Sequence, residues 1–234
     1  MVKVEVLDDA NALARCAADL IADAVRARPS LSMLVATGNT PMATYAELAR
    51  RNVGASALTA VQLDEYLGVG EDDPRSLWAW MHRSVVGPLG VGRTVRLNGE
   101  APDLDEACRR FDAEVAALGG IDLAVLGLGP NGHLGFNEPP CPPDAPTRLV
   151  TLTPESLASN AAYWGDLPVP RQALTAGMDM ILAARQVLLL VSGAHKRGIL
   201  ARTLQAPPAP EVPASWLQGA NTTVLADRAA WEGA

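Results

Sequence analysis

Short apolar runs recur along this chain, near Ser32 to Ala36, Ala60 to Leu63, Ile121 to Gly127, Leu149 to Leu152, Val187 to Val191 and Thr223 to Ala226. Between them lie segments with helical spacing: Asp9 to Arg28, Met42 to Arg51, Leu77 to Val86, Leu104 to Leu118 and Lys196 to Leu204. In the first of these, Leu13, Ala17, Leu20, Ile21 and Val25 share one face, and Pro29 ends the run. In the second, Pro41 is expected at the first helical position, where its missing N–H costs nothing. Strand-like runs alternating with helices are the sequence form of βαβ units. They predict an α/β fold with an open, mostly parallel, doubly wound, Rossmann-like sheet and helices on both faces. Two proline-rich patches, 138 to 147 and 206 to 215, are too short to tether domains. Residues 1 to 234 are therefore read as a single domain.

Composition narrows the function classes. With 49% hydrophobic and 19% charged residues, the chain can bury a core and is not disordered. A net charge of -7 speaks against nucleic acid as a partner, because polyanion binders neutralise phosphates with clustered Lys and Arg. A small phosphorylated ligand needs only a few local donors and stays open. Cys16, Cys108 and Cys141 are scattered, which fits reduced thiols rather than a disulfide framework or a zinc knuckle. The opening MVKVEVLDDA meets acidic residues at once, and the apolar runs fall far short of the ~20 residues of a membrane helix. No membrane partner and a cytoplasmic location are expected. Apolar helices at the sheet edges leave room for a homo-oligomer.

In open α/β sheets, ligands bind in the loops beyond the carboxyl ends of the strands. Four loops of this kind hold unusual residues. ATGNTPMATY, 36 to 45, offers Thr37, Gly38, Asn39 and Thr40 at a helix N-terminus, either an anion cradle or a plain turn with Thr40 as N-cap. It lacks the ending of a Walker A loop. Asp64 and Glu65 follow a strand directly, where partial burial raises a carboxylate toward a base's working range; the alternative is a solvated strand end with an N-cap at Asp73 or Ser76.

The third loop, GLGPNGHLGFNEP from Gly127 to Pro139, frames His133 with glycines and puts Glu138 within reach as its orienter. A polar histidine and glutamate there are hard to explain by packing. The fourth, LLLVSGAHKRGIL from 188 to 200, sets Lys196 or Arg197 against the positive end of a helix, which suggests a shared anion; His195 reads as a turn residue. His82 reads as partly buried or solvated, and the tryptophans as packing. No metal-ligand spacing is present in the sequence, so no metal site is expected.

Together these loops resemble one family, the glucosamine-6-phosphate deaminases, within the superfamily that also holds 6-phosphogluconolactonases. LGLGPNGHLGFNEP is similar to the signature GxGxDGHxxFNEP, LDEYLG to the catalytic-acid segment, and TRLVTLT to the substrate-binding arginine strand. Lactonases of the superfamily usually carry DER and DGHxASLFP, whereas this chain has DEY and GHLGFNEP. The resemblance implies Asp64 as the base that moves the C2 proton and His133 as the group that opens the sugar ring, oriented by Glu138. It implies substrate contact by Arg148, phosphate binding by Gly38, Asn39, Thr40 and Lys196, and a reaction without cofactor that gives fructose 6-phosphate and ammonia.

The chain departs from the family pattern at Asn131, where the signature has Asp; asparagine hydrogen-bonds but does not ionise. It also departs at Ala220, where short members usually have histidine, and in the proline-rich loop 139 to 146. Two alternatives follow: a lactone hydrolase in which His133 activates water, and a repurposed member acting on or binding a different sugar phosphate.

Overall fold

The computed structural model describes residues 2–232. β1 (Lys3–Leu7) leads into α1 (Ala10–Ala27), and β2 (Ser32–Val35) into α2 (Asn39–Arg50). β3 (Thr59–Gln62) is followed at once by β4 (Asp64–Tyr66), then by α3 (Leu77–Met81), a π-helical turn (His82–Val86) and α4 (Gly87–Leu89). Next come β5 (Arg93–Val95), α5 (Leu104–Ala117), β6 (Leu123–Gly127), β7 (Arg148–Thr151), α6 (Pro154–Asn160) and β8 (Gln172–Thr175). Last are α7 (Met178–Leu182), β9 (Gln186–Val191), α8 (Arg197–Gln205), β10 (Thr222–Asp227) and α9 (Arg228–Trp231).

Seven strands form one parallel sheet in the order β1-β10-β9-β6-β2-β3-β5, as the alternating sequence predicts. Winding runs outward from β2 through β3 to β5 on one side and from β6 through β9 to β10 on the other, with the first strand β1 beyond β10, so the direction reverses between β2 and β6. A crevice opens at such a reversal, beyond the carboxyl ends of the strands. Side chains of β2 alternate between the two faces. Leu34 packs with Leu126, Phe111 of α5 and Ile181 of α7. Met33 and Val35 pack on the other face with Leu13 and Ile21 of α1 and Leu48 of α2. All of these are at most 1% exposed, and cutting one of the leucines to alanine costs about 2–5 kcal/mol.

The helices begin where capping chemistry allows. Asp9 caps α1 through Ala12 N–H at 2.7 Å, and Ser76 caps α3 through Ala79 N–H at 2.9 Å. α2 starts earlier than the sequence suggests, at Asn39 after the N-cap Gly38, so Pro41 is third in the helix rather than first. Its missing N–H is still harmless there, because the first four N–H groups of a helix have no partner within it.

One part of the fold departs from the expectation. Leu149 to Leu152, read with the parallel strands, overlaps β7 in a separate antiparallel sheet of order β4-β8-β7. Its residues alternate between exposed and half-buried, unlike the fully buried β2. One wet face suits an antiparallel sheet, whereas central parallel strands are covered on both faces. Under this small sheet lies an apolar cluster of Tyr66, Leu77, Phe136, Leu152 and Trp164. Among the described residues no helix is long and apolar enough to cross a membrane.

Candidate active site

A cleft of about 520 Å³ opens beyond the carboxyl ends of β2, β6 and β9 and is roofed by the small sheet and α6. Thr37, Gly38, Asn39 and Thr40 form one wall, at the turn from β2 into α2. Gly38 has φ 134°, a backbone conformation that favours glycine, and it turns the loop so that the helix N-terminus faces the cleft. Opposite, the turn after β9 presents Ser192, Gly193, His195 and Lys196. Asp227, at the end of β10, fixes that turn by accepting from Ser192 Oγ at 2.5 Å and from Gly193 N–H at 3.0 Å. His195 lies exposed in a 3-10 turn and also lines the cleft.

Lys196 reaches across to donate from Nζ to the Leu128 carbonyl at 2.7 Å. Burial pulls its pKa down. A half-buried ammonium beside a helix N-terminus and glycine turns gains most from an anion held between the two walls.

Asp64 enters from the side. It begins β4 directly after β3 ends and is 7% exposed within the cleft wall. Burial, reinforced by the neighbouring charge of Glu65, pushes its pKa up to about 8. Glu65 faces away and is structural: it accepts from the N–H groups of Tyr66, Leu77 and Trp78 and from Gln62 Nε2, all within 3.0 Å. These bonds tie β4 to the N-terminus of α3. The two adjacent acids thus have different tasks, one open to the cleft and one fastening the strand that carries it.

His133 lines the floor against Gly129. A Cβ at position 129 would lie 2.2 Å from the ring Cδ2 and 2.3 Å from Nε2, so only glycine allows the ring this position. Nδ1 lies 3.3 Å from Glu138 Oε2 and 3.1 Å from Ser156 Oγ. Burial works against the charge on Glu138, but hydrogen bonds from His133, Ser156 and Asn131 outweigh it and hold the carboxyl at about 2. Glu138 is therefore an anion, an acceptor only, and it faces the Nδ1 edge of the ring.

Asn131 and Glu138 do not line the cleft; they act on His133 from behind it. Asn131 Nδ2 donates to Glu138 Oε2 at 2.9 Å, while its Oδ1 accepts the backbone N–H of His133 at 3.2 Å. The proline-rich loops brace this region: Cys141 N–H donates to the Pro210 carbonyl at 2.9 Å, Trp216 Nε1 to the Cys141 carbonyl at 3.0 Å, and Ala214 N–H to the Gly132 carbonyl at 2.8 Å. Ala220 is buried outside the cleft, at the end of a 3-10 segment.

Arg148 is the expected site residue that the structure places elsewhere. Its guanidinium donates to Asn137 Oδ1 at 2.8 Å and to the Pro146 carbonyl at 3.0 Å, and it does not line the cleft. Those acceptors lie behind the His133 loop, so Arg148 braces the loop. Conversely, Trp80, read as packing, lines the cleft and meets Tyr163 edge-on at 5.0 Å between ring centroids. Tyr163, Ser159 and Asn160, which also line it, carried no signal beyond a Thr-Pro helix start upstream.

Residues 8–226 match the family model described as glucosamine-6-phosphate isomerases/6-phosphogluconolactonase. A glucosamine-6-phosphate deaminase of Rhodopirellula baltica is 38% identical over 98% of this chain and 95% of its own. Glucosamine-6-phosphate deaminase 1 of Bacillus subtilis is 37% identical over 93% of each. A solved monomeric glucosamine-6-phosphate deaminase superposes with a TM-score of 0.95 at 36% identity, covering 99% of this chain and 100% of its own. The 6-phosphogluconolactonase of Trypanosoma brucei reaches 0.80 at 19% identity over 98% and 97%, a likeness of fold alone. On the family match and the identity along nearly its whole length, this chain belongs to the glucosamine-6-phosphate isomerase/6-phosphogluconolactonase family.

Proposed function

We propose that the protein converts glucosamine 6-phosphate and water to fructose 6-phosphate and ammonia. The observation that carries this is convergence: Asp64, His133, the Gly38–Thr40 turn and Lys196 all line one cleft. The phosphate sits between Gly38–Thr40 and Lys196, and this remote grip turns binding energy into orientation of the sugar.

His133 Nε2 takes the proton from the C1 hydroxyl and passes it to the ring oxygen as the C1–O5 bond breaks, and the open aldehyde with a free C5 hydroxyl forms. Asp64 then removes the C2 proton while the C2 ammonium gives a proton to the C1 oxygen, giving an enolamine with a C1–C2 double bond and a C1 hydroxyl. A proton delivered to C1 leaves a C2 iminium; water adds there, and ammonia departs. A cationic nitrogen at C2 beside Asp64 favours the ionised form of the carboxylate, which burial alone disfavours. Each proton transfer of this type is worth about 10²–10⁴ in rate.

Purified protein given glucosamine 6-phosphate is expected to release ammonia and fructose 6-phosphate in equal amounts. Hydrolysis of 6-phosphogluconolactone with no ammonia from the amino sugar would overturn the proposal in favour of the lactonase reading.

A further inference from the structure

The Nδ1 edge of His133 has two neighbours, and the carboxylate is the more distant. Ser156 Oγ lies at 3.1 Å, Glu138 Oε2 at 3.3 Å. Because Glu138 is ionised, the hydrogen between ring and carboxylate belongs to Nδ1, and that N–H has two acceptors in reach. Ser156 Oγ is the nearer of the two acceptors.

No other side chain on this carboxylate fills the same place. Thr153 Oγ1 donates to Oε2 at 3.1 Å and Asn131 Nδ2 at 2.9 Å, so both meet Glu138 and neither meets the ring. Ser156 is fully buried, and no bulk water reaches its hydroxyl to offer a substitute partner.

We propose that Ser156 is a positioning residue that holds His133 in the tautomer with Nε2 free, the form that accepts the proton in ring opening. Ser156 is the third residue of α6, and Ser159 and Asn160 on the same helix line the cleft. One short helix therefore both walls the cleft and sets the protonation pattern of the ring beneath it.

The test compares ¹⁵N-histidine NMR spectra and kinetics of the full-length protein, its S156A variant and the hydroxyl-keeping S156T; the His133 signals are assigned by their loss in H133Q. The expected result is a single Nδ1–H tautomer of His133 in the wild type, a mixture in S156A, and recovery in S156T. The kinetic half rests on the deaminase reading: kcat of S156A falls about 10-fold with KM for glucosamine 6-phosphate unchanged, a part of what a general base supplies. S156A with both the wild-type tautomer and the wild-type kcat overturns the proposal. If the wild type releases no ammonia, the deaminase reading fails, and the tautomer comparison in the unliganded protein still decides the role of Ser156.

Discussion

The amide nitrogen of Asn131 donates to Glu138 Oε2 across 2.9 Å, a place that suits a neutral donor beside an ionised carboxylate. Asn131→Asp would remove the donor and set a second carboxylate against Glu138. Glu138 is held at about 2, below its ordinary 4.5, so its stabilisation is present above the unfolded value and lost as pH falls through that range to the folded one. The variant forfeits part of that stabilisation at neutral pH. A Tm about 3–8 °C lower at pH 7.5 is expected, on the scale of ~2–4 °C per kcal/mol for a chain of this size, with the deficit shrinking as pH falls below 4.5 toward about 2. Thermal melts in matched buffers measure it.

Asp64 reverses that sign. Its pKa of about 8 lies above the ordinary 3.8, so between these values the folded state holds a proton that the unfolded chain has released. Stability from this group declines as pH rises across the window. Asp64→Asn should therefore melt higher than the wild type at pH 8, by roughly 2–8 °C, and less so at pH 5. The same change should lower turnover by about 10²–10⁴. In the wild type, kcat/KM should climb with pH toward about 8 as the base ionises in the free enzyme.

Lys196 tests the anion walls separately from the chemistry. Lys196→Gln removes the half-buried cation that bridges to the Leu128 carbonyl. KM for the sugar phosphate should rise about 100-fold, as for a lost charged hydrogen bond of ~2–3 kcal/mol, with a smaller change in kcat. Inorganic phosphate should raise the Tm of the wild type and leave that of the variant nearly unmoved; equal shifts in both proteins would sink the assignment.

Gly129→Ala makes the converse case. A methyl group 2.2 Å from the imidazole forces the ring away, so kcat should drop at least about 10-fold. Binding at the walls should survive, seen as an intact phosphate-induced rise in Tm.

Much of this fold was legible because central strands such as β2 and β9 are unbroken apolar runs separated by amphipathic helices. β1 was not, since its edge position leaves Val2, Val4 and Val6 alternating with polar residues rather than running together. β4 and β5 have three residues each, too few to show a period. In the site, Asp64, His133 and Lys196 were legible because titratable groups next to glycine turns stand out from packing. Ser156 and Tyr163 did not stand out, because what they touch is set by the placement of α6 over the cleft. Arg148 was read from its residue type as a substrate contact; its Nη1 bonds to Asn137 and Pro146 were not legible, because those acceptors are set by the turn before β7.

Asp64 and the turns that carry Gly38 and Lys196 belong to different sheets, so on the proposed reading the base and the phosphate are held from separate supports. Asp64 pairs with Thr175 in the small antiparallel sheet, while the walls hang from β2 and β9 of the large one. Their separation is thus set by how one sheet docks on the other, and it acts as a ruler laid along the sugar. A pentose 5-phosphate, one carbon shorter and gripped by its terminal phosphate, brings C1 rather than C2 opposite the carboxylate. Selection among phosphorylated sugars then rests on carbon count, measured by the seam between two sheets.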